Sequence, residues 1–276
     1  MRSILNLLTQ IQELTLIRDE QRGLGAPSAE IAKLTGSINT LVDTLPQQVK
    51  ANYQRLYARD HIVTASINND SCTMCNTRLA TALVQAVRLA REIKVCPNCA
   101  RFLYDDSEGP KWIADRAKRT AAPKTGFARF SSPELMIADL KADTKEEAIA
   151  ALARRMQDAD FVDNAQKLCE AALAREAIVS TALGDGIAFP HVRGIEGGGL
   201  AMAFGISRKG IDFDGEVCNF IFFTTIPTAV SAFYLKLIAT ISQALRKPNW
   251  RAALLEATDD ESLWKALSRA TKSACK

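Results

Sequence analysis

The sequence predicts a multidomain chain. A short α-helical, coiled-coil-like hairpin and a small four-cysteine unit precede an α/β domain with a mixed sheet flanked by helices. Three observations carry this. Apolar residues recur at helical steps through two segments separated by the breaker Gly23-Leu-Gly-Ala-Pro27. Two Cys-x-x-Cys pairs, Cys72/Cys75 and Cys96/Cys99, stand twenty residues apart. From about residue 129, strand-like and helix-like patterns alternate almost to the end.

The composition allows this. A chain of 276 residues is long enough for two cores, and 47% hydrophobic with 24% charged residues is a globular balance rather than a disordered or fibrous one. The net charge of +4 is uneven: residues 1–128 hold 17 Lys and Arg against 12 Asp and Glu, and residues 129–276 hold 18 against 19. The segment Val217 to Ser242 carries one charge, Lys236, but Pro227 divides it into a strand-like and a helix-like part, so it reads as buried core rather than a membrane span. The chain opens on a helical pattern without a small-residue cleavage site, which predicts a cytoplasmic protein.

Residues 1–60 form the predicted hairpin. Ile4, Leu7, Ile11 and Leu14 mark the first helix, and Ile31, Leu34, Ile38, Leu41 and Leu45 mark the second, with Ser28 as its expected cap. Pro46 opens a third helix carrying Val49, Tyr53 and Leu56 on one face. Residues 61–106 form the four-cysteine unit. His61 to Ile67 alternates as a strand, and Leu79, Leu83, Val87 and Ala90 mark a short helix between the cysteine pairs. His61 is read as structural, because the metal set is complete without it.

Paired Cys-x-x-Cys motifs in a chain without a secretory signal indicate metal rather than disulfides. Each pair makes a tight knuckle that aims two thiolates at one point, and four thiolates in a tetrahedron suit Zn²⁺, so Cys72, Cys75, Cys96 and Cys99 are the predicted ligands. An iron–sulfur centre and redox-active thiols are the alternatives. Cys169, Cys218 and Cys275 are scattered and have no partner at knuckle spacing.

Pro46, Tyr53-Gln-Arg-Leu56, Cys72-Thr-Met-Cys75 and Ile93-Lys-Val-Cys-Pro-Asn-Cys-Ala-Arg-Phe-Leu-Tyr104 together resemble the bacterial zinc-ribbon proteins with an N-terminal coiled-coil hairpin. Ala100 stands where that family generally has glycine. The resemblance implies an adaptor with a protein target that it does not identify. Some relatives are linked to RNA, but few aromatic residues accompany the basic ones here, which disfavours nucleic acid. Residues 107–128 hold Gly, Pro and the basic run Lys111, Arg116, Lys118, Arg119 and Lys124, with at most a helical turn near Trp112, and read as a linker.

Residues 129–276 form the predicted α/β domain. Thr144 to Glu147 reads as a capping box before a helix, and Val162 to Ala174 as a second helix. Gly198–Phe204 and Val217–Thr224 read as strands with a turn-rich stretch at 210–215 between them, and residues 249–267 as a closing helix. Within this domain, Arg175-Glu-Ala-Ile-Val-Ser-Thr-Ala-Leu-Gly-Asp-Gly-Ile-Ala-Phe-Pro-His191 gathers unusual chemistry. Neutral imidazole is a nucleophile near pH 7, and Arg175 offers a planar fork of donors for phosphoryl oxygens. Gly184 and Gly186 permit close backbone approach, and Pro190 stiffens the chain ahead of His191. A lone histidine at a loop mouth is otherwise ordinarily structural.

This run resembles the phosphoryl-accepting segment of fructose/mannitol-type enzyme IIA domains of the phosphoenolpyruvate-dependent phosphotransferase system, and of their nitrogen-regulatory branch. The resemblance implies that His191 accepts a phosphoryl group from a small histidine phosphocarrier protein, with Arg175, Ser180 and Thr181 helping to bind it. It places Tyr234 where the family often carries a second histidine. Tyr234 is thus either a hydrogen-bonding partner of the phosphoryl group or a core aromatic.

Overall fold

The computed structural model describes residues 2–106, 109–113, 126–195 and 199–272. The chain divides into two compact units, Met1–Glu108 and Gly109–Lys276. Arg116, Lys118, Arg119 and Lys124 of the basic run, and Cys275, lie outside the described residues.

In the first unit, helices α1 (Arg2–Gly23), α2 (Ser28–Asp43) and α3 (Gln47–Asp60) precede three short strands. Leu8 and Ile11 of α1 share a core with Ile38 of α2, Tyr53 and Leu56 of α3, Val63 just before the first strand and Phe102 within the last. The helices therefore bury their apolar stripes against the strands as well as one another. Gln12 strengthens that joint, its side-chain oxygen accepting from the N–H groups of Val63 and Thr64 at 2.7 and 2.8 Å. The predicted Ser28 cap is not formed. Pro27 takes the cap position of α2 without a side-chain bond, as Pro46 does for α3. The fixed φ of proline sets up helix entry without a capping oxygen.

Strands β1 (Thr64–Asn68), β2 (Ser71–Cys72) and β3 (Phe102–Tyr104) make a sheet in the order β2-β1-β3, with β2 antiparallel and β3 parallel to β1. Asn69 and Asp70, at φ 47° and 56°, make the two-residue turn into β2. Helix α4 (Thr81–Leu89) buries Val84 and Val87 and leaves Leu89 outside. His61, read as structural, ends α3 at φ 63°; its ring stacks on Tyr57, and its Nδ1 lies 2.6 Å from Asp19 Oδ2.

The second unit is α/β. Its mixed sheet runs β4 (Met136–Ile137), β7 (Ala201–Phe213), β8 (Glu216–Ile226), then β5 (Ile187–Ala188), with β6 (His191–Arg193) also on β8. β7 and β8 are antiparallel; the other pairings are parallel. The helices are α5 (Lys145–Asp158), α6 (Ala165–Glu176), α7 (Ser231–Leu245), α8 (Pro248–Leu255) and α9 (Asp260–Ala270). Phe204, Phe220 and Phe222 are fully buried on the central hairpin, with Phe204 and Phe222 stacked at 4.2 Å. Burial of each such ring stabilises the fold by about 1.5–3 kcal/mol.

Several boundaries differ from expectation. β7 continues through 210–213, and the turn shrinks to Asp214 and Gly215, at φ 55° and 98°. A register shift between Ile206 and Ile211 absorbs the glycine that suggested a longer turn. Gly210 sits there at φ 79°, where a Cβ would stand 2.4 Å from Val217 Cγ1. The closing helix breaks after α8, because Asp259 caps a new helix with Ser262. Only half of the expected capping box forms at α5. The Thr144 hydroxyl accepts from Glu147 N–H, while the Glu147 carboxylate reaches back to Asp143 N–H instead. Trp112 forms an extended bridge to Val162 rather than a helical turn.

Candidate functional site

The first constellation is the cysteine quartet. Cys72 Sγ lies 3.8 Å from Cys99 Sγ and Cys75 Sγ 3.6 Å from Cys96 Sγ, and all four sulfurs fall within 4.8 Å of one another. Those separations are far longer than the roughly 2.05 Å of a disulfide. They match the roughly 3.8 Å edge of a tetrahedron with metal–sulfur bonds near 2.3 Å.

The two knuckles repeat the same backbone hydrogen bonds. Cys72 N–H donates to Thr77 O and Asn76 N–H to Cys72 O; Cys96 N–H donates to Arg101 O and Ala100 N–H to Cys96 O. The residue after each knuckle is left-handed, Asn76 at φ 55° and Ala100 at φ 62°. Ala100 therefore adopts the conformation for which glycine is best suited. Burial pushes the Cys72 and Cys96 thiols up. Burial also opposes ionisation of Cys75, but hydrogen bonds involving Thr77, Asn98 and Cys96 outweigh it and hold that thiol down to about 6.

The second constellation surrounds His191. Strands β5 and β6 run along the same edge of β8 in one register, Ile187 opposite Phe220 and His191 opposite Thr224, with Phe189 and Pro190 between them. Pro190 O accepts from Thr224 N–H at 3.0 Å, so the chain stays bound to β8 through the proline step. The turn before β5 passes Gly184, Asp185 and Gly186, all at positive φ. Gly186 O accepts from Asn219 and Phe220 N–H.

His191 is 1% exposed. Its Nδ1 lies 3.0 Å from Phe189 O. A carbonyl oxygen only accepts, so Nδ1 carries the proton, and in the neutral ring the nucleophilic lone pair sits on Nε2. Tyr234, in the first turn of α7, is fully buried; its ring centroid is 5.2 Å from that of His191, and its hydroxyl donates at 3.5 Å to the same carbonyl. Arg193, two residues along β6 and hence on the face of His191, places its guanidinium 5.7 Å from the Tyr234 ring centre.

Arg175 and Glu176 end α6, which packs against β6, and both are buried. Arg175 Nη1 donates to Val179 O at 2.8 Å. The Glu176 carboxylate accepts from the backbone and hydroxyl of Thr181 and lies 3.2 Å from the Ser180 hydroxyl. Thr181 O in turn accepts from Phe189 N–H. Thr181 thus connects to His191 through the backbone of Phe189 while its hydroxyl is held by Glu176, and the Ser180 hydroxyl lies between Glu176 and Phe213 O, at 3.2 Å from each. Sequence reasoning missed Glu176, Arg193 and Thr224. Arg193 had a signal, the two-residue step from His191 on a strand. Glu176 stood in the run that carries the resemblance but received no role of its own, and Thr224 had no signal, since the partners of both are brought in by the fold.

The sequence over residues 129–270 matches the family model described as "Phosphoenolpyruvate-dependent sugar phosphotransferase system, EIIA 2". The fructose-specific EIIA component of Haloferax volcanii is 29% identical over 147 residues, covering 52% of this chain and 96% of that protein. The nitrogen regulatory protein of Bradyrhizobium diazoefficiens is 28% identical over 143 residues, covering 50% of this chain and 91% of that one. The crystal structure of IIA-Ntr from Neisseria meningitidis aligns with a TM-score of 0.45 at 21% identity, over 50% of this chain and 97% of that one. No described helix is long and apolar enough to cross a membrane. Through its second unit, the chain belongs to the phosphotransferase-system EIIA 2 family.

Proposed function

We propose that the protein is a cytoplasmic phosphocarrier-regulator in which His191 accepts a phosphoryl group from a small histidine phosphocarrier protein. The observation that carries this reading is the bond from His191 Nδ1 to Phe189 O, which leaves Nε2 as the nucleophile. In the step, the Nε2 lone pair forms the new N–P bond as the donor's N–P bond breaks, and that electron pair returns to the donor imidazole. Arg175 and Tyr234 bind phosphoryl oxygens, and Ser180 and Thr181 help to hold the phosphoryl group or its donor.

Three domains and a linker make up this reading: a helical hairpin at 1–60, a zinc ribbon at 61–106, a linker at 107–128 and the enzyme IIA-like domain at 129–276. Cys72, Cys75, Cys96 and Cys99 hold Zn²⁺, and the spacing of their sulfurs supports this. The metal is structural: four thiolates close the coordination shell and leave no open position for chemistry. The ribbon and hairpin contact a protein target whose activity the phosphorylation state regulates.

The test is incubation of the full chain with phosphoenolpyruvate, enzyme I and the phosphocarrier. An acid-labile, base-stable label is expected. His191→Ala should abolish it, His61→Ala should leave it, and Arg175→Ala should slow it strongly. Absence of label on the wild type with competent donors would overturn the reading. The burial of His191 favours a second reading, a phosphorylation-independent adaptor that uses the same fold only to bind partners.

A further inference from the structure

Thr224 has a place in this site that its strand position does not require. It lies opposite His191 in the parallel pairing of β6 with β8. Directly paired residues put their side chains on the same face of a sheet. Thr224 is 0% exposed, yet its hydroxyl has no hydrogen-bond partner among the described residues. A buried hydroxyl left in that state is costly, and a valine of the same shape would fill the position without the cost. Its backbone does not account for it, since Thr224 N–H is already bound to Pro190 O.

We propose that Thr224 is a phosphoryl-binding residue, its hydroxyl donating to a phosphoryl oxygen while the group is transferred to, and carried on, His191. This rests on the phosphocarrier reading above. The N–P bonds form and break as described there, and the threonine O–H stays intact. The Thr224 side chain lies on the same face of the sheet as the imidazole, on a strand held in fixed register, so it already stands beside the acceptor when the mouth opens to the incoming group. Donors already aimed at developing charge in a site closed to water act at full strength. The cost of the unsatisfied hydroxyl in the resting protein is then relieved on phosphorylation.

The neighbouring Thr225 supplies an internal control. It is equally buried, and its hydroxyl is likewise without a partner among the described residues. It pairs with Val192 rather than His191, and so faces the opposite side of the sheet.

The experiment measures the rate of His191 labelling by the phosphocarrier, together with the melting temperature, for full-length wild type, Thr224→Val, Thr224→Ser and Thr225→Val. Thr224→Val should label roughly ten- to a hundredfold more slowly, the range for losing a hydrogen bond to a charged group, with an unchanged or raised melting temperature. Thr224→Ser should stay near wild type, and Thr225→Val should label normally. Slow transfer with unimpaired folding separates a binding role from a packing one. If Thr224→Val misfolds, Thr224→Ala at a temperature where it is folded supplies the same loss. Wild-type rates in the hydroxyl-free variant, or a serine variant as slow as it, would overturn the assignment while the phosphocarrier reading stands. A wild type that takes no label would overturn both.

Discussion

Glu176 holds Thr181 with both carboxylate oxygens, Oε1 accepting from the backbone N–H at 2.8 Å and Oε2 from the hydroxyl at 2.7 Å. Because Thr181 O also accepts from Phe189 N–H, the last residue of α6 is linked to the carbonyl that orients His191. A carboxylate at a helix C-terminus opposes the helix dipole. Its place there is explained by the donors it gathers from the loop that follows.

Glu176→Gln tests that linkage. Glutamine keeps the shape but has only one accepting oxygen, so one of the two Thr181 donors faces an NH₂ group. Leaving one buried donor unsatisfied should cost about 1–3 kcal/mol. Urea denaturation should show a lower midpoint with unchanged slope, and His191 labelling should slow in parallel. An unchanged midpoint would mean that the carboxylate does not anchor this loop.

Tyr234 should divide into a packing part and a polar part. Its hydroxyl bond to Phe189 O is long, at 3.5 Å, so Tyr234→Phe should cost less than about 1 kcal/mol of stability. It should also slow labelling by roughly five- to tenfold if the hydroxyl serves the phosphoryl group. Tyr234→His places a second imidazole beside His191 and should speed transfer. Stability curves and labelling time courses on the same samples check both.

Metal removal should act on the front unit. Purified protein is expected to carry one Zn²⁺ per chain, and each of the four cysteine-to-serine changes should lower that content. Structural zinc contributes on the order of 10–16 kcal/mol of apparent binding energy in isolated zinc-finger peptides. Chelation should therefore unfold the ribbon while residues 129–270 keep their melting transition. Limited proteolysis should cut first in the basic stretch of 107–128.

Cys218 gives a prediction with a definite pH sign. Burial, aided by the negative charges of Glu216, Glu176 and Asp212, pushes its thiol up to about 12. The neutral form is favoured by folding, so this contribution is complete below the ordinary thiol pKa near 9 and is lost as pH rises through about 12. The stability of wild type relative to Cys218→Ala should fall over that window. At pH 8 a thiol reagent should modify Cys218 only as fast as the domain unfolds.

Legibility from sequence followed the range of the interactions. The four cysteines and His191 were legible because tight spacing or a local run defines them. The helices of the second unit were legible through period and caps, as at Thr144. The extent of β7 was not, because Gly210 reads locally as a turn and only the opposing strand shows that it sits at a register shift. The break between α8 and α9 was hidden for a similar reason: the helical period runs across it, and the Asp259 cap must be weighed against that period. Glu176 and Thr224 depend on partners that meet them only in the folded sheet.

The near-complete burial of His191 has a kinetic consequence. An acceptor 1% exposed cannot meet another protein's phosphohistidine in line until the elements covering it part. On the proposed reading, observed transfer is then the intrinsic rate multiplied by the fraction of molecules in which the mouth stands open. A contact that makes opening ten times rarer slows transfer about tenfold without touching the chemistry, and one that loosens α7 speeds it. Helix α7, whose Tyr234 ring lies against His191, would thus act as a throttle, set by whatever partner grips or frees it.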